Sequence, residues 1–304
     1  MNEDETWKRK EKHGRELERE NNKRLRALET KVFEIIVREL QKQYTFSGDT
    51  VERSLQNLRV TSAINNAFKQ IDELHGHVMM DFARELLKSS NYTQAYFKLL
   101  APNADVFKSA NNKALAITLR SLGMRVDEGN LKIVSGGFLN TLLEDNFLRK
   151  QVQAEALSVV LSGGGFESLS SRIRRIVKGA PGKTGSFERY YNTYAYDFIN
   201  RVDRTENDTY ARELGLQAFV YAGTEIGNTR DFCAKRIGKV FLRSEAKKWK
   251  KIRFEGKPKT GYDPLRDLGG YNCRHVARFI SNRKAVEMRD DLYIEDGKLK
   301  KRKQ

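Results

Sequence analysis

Apolar residues spaced three and four apart constrain this chain more than any motif in it. Leu25, Leu28, Val32, Ile35, Ile36 and Leu40 fall on one helical face. Val51, Leu55, Leu58, Phe68, Ile71, Leu74, Val78, Phe82 and Leu86 carry the rhythm to about Lys88. Only 4 of the 304 residues are proline, so few points interrupt it. The spacing predicts an α+β chain that is mostly helical: a helical N-terminal region, then a small C-terminal α+β domain with a short sheet. The Leu25–Leu40 face either packs within its own domain or docks as an arm on another subunit. Before Leu25 the only large apolar residues are Trp7 and Leu17, so residues 1–24 read as an exposed helix or as chain that orders on a partner.

Punctuation divides the rest. Ser47-Gly48-Asp49 predicts a helix start, with Asp49 or Thr50 as the cap. His75 and His77, two apart, point to different helix faces and make a poor metal pair. The stretch 91–123 reads as helical pieces broken at Pro102 and at Asn111-Asn112. Met124–Val134 reads as a hairpin turning at Asp127-Glu128-Gly129-Asn130. Helices follow at Phe138–Leu161 and Phe166–Lys178, the second basic and amphipathic. The run Gly179–Gly185, GAPGKTG, invites comparison with a phosphate-binding loop, but Val177 stands where that motif needs its first glycine. It reads as a flexible linker and as the best domain boundary. Ser186 can cap an aromatic-rich helix with Tyr190, Tyr191, Tyr194, Tyr196 and Phe198, and Arg201, Asp203, Arg204 and Glu206 within it suggest a local ion-pair network. Three short strands are expected at Leu216–Tyr221, Val240–Phe241 and Val276–Ile280. The domains so read are a charged arm (1–46), a helical domain (47–178), a C-terminal domain (186–282) and a basic tail (283–304).

Charge narrows the partners. Lys and Arg total 57 against 40 Asp and Glu, a formal net charge of +17. Such a chain suits a polyanion, nucleic acid first and an anionic membrane surface second. Its densest phosphate-contact candidates are Arg243, Lys247, Lys248, Lys250, Lys251, Arg253, Lys257 and Lys259, then Lys300, Lys301, Arg302 and Lys303. The alternative is a solvated surface or an acidic protein partner. No run of about 18 apolar residues is present, so no membrane span is expected. The opening MNEDETWKRKEKHG lacks an apolar stretch, so no secretory signal is expected either.

The chemically distinctive residues gather in 221–282. The only two cysteines, Cys233 and Cys273, lie there with His275. Each cysteine sits beside basic residues: Arg230, Lys235 and Arg236 near the first, Arg274 near the second. Cys and His are soft donors that suit zinc, and Asp231 offers an oxygen. A closed structural site usually takes four ligands in paired C-x2-C knuckles, and Arg236 stands where the second cysteine of such a pair would be. Small, buried, reduced cysteines are therefore the favoured reading over zinc, with a disulfide the less favoured choice in a cytosol.

The ordered pattern TRDFC-x3-IGKVF, then Glu245–Trp249, then GGYNCRH before an apolar strand resembles the phage Mu F-like minor head proteins, also called phage head morphogenesis proteins. The stretch Asp203–Gly223 is similar to the Arg-Thr-Glu helix of that family. The resemblance covers roughly 186–282, with Arg204, Thr205, Glu206, Arg230, Gly238, Lys239 and Arg274 at motif positions. Many relatives carry C-x2-C with H-x2-C-R-C; here Gly270 stands at the histidine and His275 at the last cysteine.

The resemblance implies a non-enzymatic structural protein of a tailed-phage head, capsid-associated near the portal and present in the host cytoplasm during assembly. Its implied partners are the portal protein, sequence-independent double-stranded DNA, and scaffold or capsid proteins, and its role head assembly or genome delivery. The alternative is a nuclease or toxin-like effector working through His275 with Arg274, Asp231 and Glu225. A general nucleic-acid-binding module would share the charge but not account for the ordered motifs.

Overall fold

The computed structural model describes residues 2–135, 147–185 and 196–302. The fold is α+β and mostly helical. In chain order it runs α1 (Glu3–Gln43), a hairpin β1 (Phe46–Ser47) and β2 (Thr50–Val51), α2 (Leu55–Leu58), α3 (Val60–Leu100) and α4 (Ala104–Leu122). A second hairpin, β3 (Met124–Asp127) and β4 (Asn130–Ile133), precedes α5 (Phe147–Ser162) and α6 (Phe166–Lys178). Then come the hairpin β5 (Gly179–Ala180) and β6 (Lys183–Thr184), α7 (Tyr196–Glu213), β7 (Ala218–Ala222), α8 (Asp231–Ala234) and β8 (Val240–Leu242). The chain continues through α9 (Arg243–Lys247), a 3-10 turn (Lys248–Lys251), β9 (Val276–Ile280), α10 (Asn282–Met288), β10 (Leu292–Glu295) and β11 (Lys298–Lys301). None of the described helices is long and apolar enough to cross a membrane.

The chain forms two compact units. One comprises Met1–Gly14, Leu87–Lys132 and Ala195–Gln304; the other comprises Arg15–Leu86 and Ile133–Tyr194. They do not follow the linear division expected from the sequence, because α1 and α3 each begin in one unit and end in the other. The second unit packs the apolar stripe of α1, from Leu28 through Val32, Ile36 and Leu40, against Val60, Ile64 and Phe68 of α3 and against Val152, Val159, Ile173 and Val177 of α5 and α6. This is the face the periodicity picks out, and it serves the protein's own core.

Several local expectations give way. Ser47-Gly48-Asp49 starts no helix. Gly48, at φ +59, turns the β1–β2 hairpin, and the helix beyond is capped by Ser54, whose hydroxyl accepts from the Asn57 amide at 3.1 Å. The α3 helix runs straight through Asn91 to Leu100, and Asn111-Asn112 lies unbroken inside α4. Asn111 spends its side chain accepting from the Tyr210 hydroxyl at 2.6 Å, so its turn preference is never used. Pro102 does divide helices, and Asn103 caps α4 by accepting from the Val106 amide at 2.9 Å. Gly179–Gly185 is a tight hairpin rather than a loose linker. The expected start of the Phe138–Leu161 helix, the Ser186 cap and the tyrosines up to Tyr194 lie outside the described residues. Residues 282–301 form α10 and the β10–β11 hairpin, not a tail, with Leu292 and Leu299 buried.

The first unit is built on a three-stranded antiparallel sheet in the order β8-β7-β9. The three strands match the expectation, with β7 central. Val220 pairs with Val240 on one side and Arg278 on the other. Strand side chains alternate in facing, so Phe219 and Tyr221 join the cluster containing Tyr96, Phe97, Tyr210, Trp249 and Phe279. Ala218 and Val220 join Val240, Ile280, Leu292 and Leu299. The first turns of α1 pack here too. Trp7 is 3% exposed and meets Tyr96 edge-on at 5.0 Å, and Asp4 pairs with Arg278 and Lys284.

Candidate metal centre and basic face

The end of β7 and the start of β9 bring the chemistry together. Cys233, on α8, and Cys273 and His275, just before β9, are buried side by side, with one ligand atom from each lying within 4.8 Å of the others. The Cys273 sulfur is 3.6 Å from His275 Nδ1. Tyr221 directs its hydroxyl from the sheet at the Cys233 sulfur, 3.2 Å away, with the Cys273 sulfur at 3.9 Å. Both cysteines are free thiols.

Two glycines make the space. A Cβ at Gly269 would overlap the Cys233 sulfur and lie 3.0 Å from that of Cys273. A Cβ at Gly223, φ +138, would meet His275 Cδ2 at 2.6 Å. The sequence marks the first only as a glycine pair before Cys273, and it gives no sign of Tyr221 beyond a strand residue.

Arg204 fixes the second knuckle. It is 5% exposed and donates to the backbone oxygens of His275 at 3.0 Å, of Arg266 at 3.3 Å and of Cys273. A planar guanidinium can hold three carbonyls at once where an ammonium cannot. The local ion-pair network expected around it is not what forms. Arg201 reaches Asp267 at 3.7 Å and Asp203 holds Lys10 at 2.9 Å. Glu206 accepts from the Ser90 hydroxyl, and Thr205 turns back to the Arg201 carbonyl at 2.7 Å. Arg230 braces the same loop by donating to the Gly269 oxygen at 3.3 Å. Gly238, at φ +73, and exposed Lys239 shape the turn into β8, where the Tyr221 amide donates to Lys239 O at 3.0 Å. Arg274 is exposed beside the buried pair.

The thiols act as a coupled pair. The hydrogen bond from Cys233, ahead of the one from His275 and the charge of Arg204, holds Cys273 below the ordinary thiol value, while that same bond and burial push Cys233 above it. Two adjacent sulfurs, one held low as a thiol, facing an imidazole suit a soft cation. His275 Nε2 is buried with no hydrogen-bond partner among the described residues. The group of three could therefore hold a metal ion, and it supplies three of the four corners of a closed site.

The remaining knuckle positions hold no donor. Arg236 lies with its guanidinium 3.8 Å over the Phe232 ring and 4.9 Å over Trp249, and donates to the Phe232 oxygen at 2.6 Å. Gly270, φ +81, has no room for a side chain, because a Cβ there would overlap the Gly256 carbonyl. Asp231 and Glu225 are exposed and stand outside the group of three.

The phosphate-contact candidates separate into two sets. Arg243 is committed to Asp208 at 2.7 Å. Lys257 donates to the Lys250 and Ile252 carbonyls and lies 4.8 Å over the Tyr262 ring. Lys300 pairs with Glu295, and Lys301 with Glu245 and Asp291 at 3.1 and 3.3 Å. Lys247, Lys248, Lys250, Lys251, Arg253 and Lys259 are exposed along one segment after β8, and Arg302 is exposed at the end of the last hairpin. Lys303 lies outside the described residues.

No protein-family model, curated protein or solved structure matches the chain.

Proposed function

We propose that this chain is a structural, non-catalytic minor head protein of a tailed phage, lying near the portal and binding packaged DNA without sequence preference. The observation that carries the DNA contact is the run of exposed cations from Lys247 to Lys259 on a chain of net charge +17. Cations on a surface segment meet phosphates wherever the backbone passes, which gives affinity but no readout of bases. The family resemblance of the knuckle motifs supports the head assignment, and the portal and the scaffold or capsid proteins are the protein partners it brings.

The knuckles serve architecture in this reading. Cys233, Cys273 and His275 tie α8 to the start of β9 within the apolar core, with or without a zinc ion that the three would hold. Bound zinc would supply folding free energy rather than chemistry.

The test is a salt titration of the purified protein on linear double-stranded DNA, with magnesium or with EDTA, scoring both the shift and the integrity of the recovered DNA. A shift that weakens steeply with salt and leaves the DNA whole supports the proposal. Fragmented DNA that a His275→Ala variant leaves whole would replace it with an enzyme.

A further inference from the structure

Tyr271 is the one large aromatic of the knuckle loop that the fold turns outward. It is 56% exposed, while its neighbours Leu268 and Cys273 are 0% and 3% exposed. The loop presenting it is fixed on both sides. The Tyr271 amide donates to the Gly256 oxygen at 2.8 Å, the Gly270 amide to Asp267 at 2.7 Å and the Cys273 amide to Gly270 at 3.2 Å. The Tyr262 hydroxyl donates to the Leu268 oxygen at 2.6 Å. Asn272 at φ +57 and Gly270 at φ +81 turn the backbone so that the ring stands out while the cysteine enters the core.

The bond to Gly256 joins this loop to the basic segment. Arg253 and Lys259 lie three residues either side of Gly256, and both are exposed. The Arg230 guanidinium packs against Gly256, where a Cβ would come within 2.6 Å of it, and also donates to the Gly269 oxygen at 3.3 Å. An exposed ring on a braced loop is therefore bonded, through Gly256, to the segment that carries these exposed cations, with Glu255 the exposed acid of that segment.

We infer that this surface is a binding site for unpaired nucleotides, with Tyr271 as a platform on which a base stacks while Arg253 and Lys259 hold the flanking phosphates. The inference rests on the DNA-binding reading above and narrows its ligand. In a duplex the base faces are already stacked on one another, so the ring contributes only where a strand is single or an end has frayed. Because the loop is braced before the ligand arrives, little ordering cost offsets the stacking.

The experiment is fluorescence anisotropy at low salt on the full chain. The labelled probes are a ~20-nucleotide oligo(dT), an oligo(rU) of equal length and a blunt duplex, all long enough for one site. The proteins are wild type, Tyr271→Ala and Tyr271→Phe. Tyr271→Ala should weaken both single-stranded probes on the order of tenfold and leave the duplex unchanged. Tyr271→Phe should bind all three like wild type, since stacking needs the ring and not the hydroxyl. Equal loss on duplex and single strand, no loss on either, or a Phe variant as weak as the Ala variant would overturn the stacking role. So would a wild-type preference of more than a few-fold between oligo(dT) and oligo(rU). Wild-type protein that binds none of the probes would instead overturn the DNA-binding reading itself.

Discussion

Glu206 should make the first unit less stable as the solution turns from mildly acidic to neutral. The side chain is 4% exposed. Burial raises its pKa from 4.5 to about 7, against the hydrogen bond from Ser90 and the charge of Lys10, with Asp203 adding to the rise. The folded state thus keeps a proton that the unfolded chain releases above pH 4.5. Across that window the unfolded state binds fewer protons, so stability falls as pH rises. The full shift is worth about 3 kcal/mol, fully present as stability below pH 4.5 and gone above pH 7. Other perturbed carboxylates of the unit act elsewhere: Glu245 is held down to about 2 by its hydrogen bond with Arg289, and Asp4 is held down by its hydrogen bond with Arg278. Their stabilisation is lost only below the ordinary carboxylate range. The assay is direct because both tryptophans, Trp7 and Trp249, belong to the first unit. Urea unfolding followed by tryptophan fluorescence at steps between pH 5 and 8 should show wild-type stability falling relative to Glu206→Gln as pH rises, with Glu206→Gln the more stable protein at pH 8. The lowered Cys273 thiol, which acts in the opposite sense over this range, is common to both proteins and drops out of the comparison. Parallel slopes for the two proteins would refute the argument.

Other perturbations have distinct signatures. Arg204→Lys should lose about 3 kcal/mol or more of first-unit stability, since two or three buried carbonyls lose their donor; a melting temperature within a degree of wild type would count against this. Trp7→Ala should cost about 3–5 kcal/mol by emptying a buried aromatic site, read from far-ultraviolet circular dichroism in urea. Cys273→Ala should lower the melting temperature of the first unit more than it weakens duplex binding, and an unchanged melting temperature would remove the architectural role of the knuckles. Gly269→Ala should lower the zinc content of protein purified from zinc-supplemented cells, measured by elemental analysis, because its Cβ would overlap the Cys233 sulfur.

The long helices and the three strands are legible because they rest on repetition: a stripe such as Leu28, Val32, Ile36 and Leu40, or an apolar run such as Ala218–Tyr221, survives any single ambiguous residue. Features resting on one or two residues were harder to read. Ser47-Gly48-Asp49-Thr50 suits a cap and a hairpin turn equally, and what decides it is Val51, buried at 1% exposure, with its amide bonded to the Gly164 oxygen at 3.0 Å. The C-terminal segment looked like a basic tail because lysines surround Leu292 and Leu299, whose burial depends on Val240 and Ile280 far away in sequence. Within the site, Cys233, Cys273 and His275 announce themselves by residue type. Arg204 and Tyr221 do not, since a helix arginine and a strand tyrosine acquire their roles only when the sheet brings the two knuckles together.

Mass spectrometry of purified, nuclease-treated phage particles from a host carrying this gene tests the central claim most directly. The account predicts peptides of the chain in DNA-filled heads at a few copies per particle, retained after the nuclease wash. Particles that contain portal and major capsid peptides but none from this chain would contradict it.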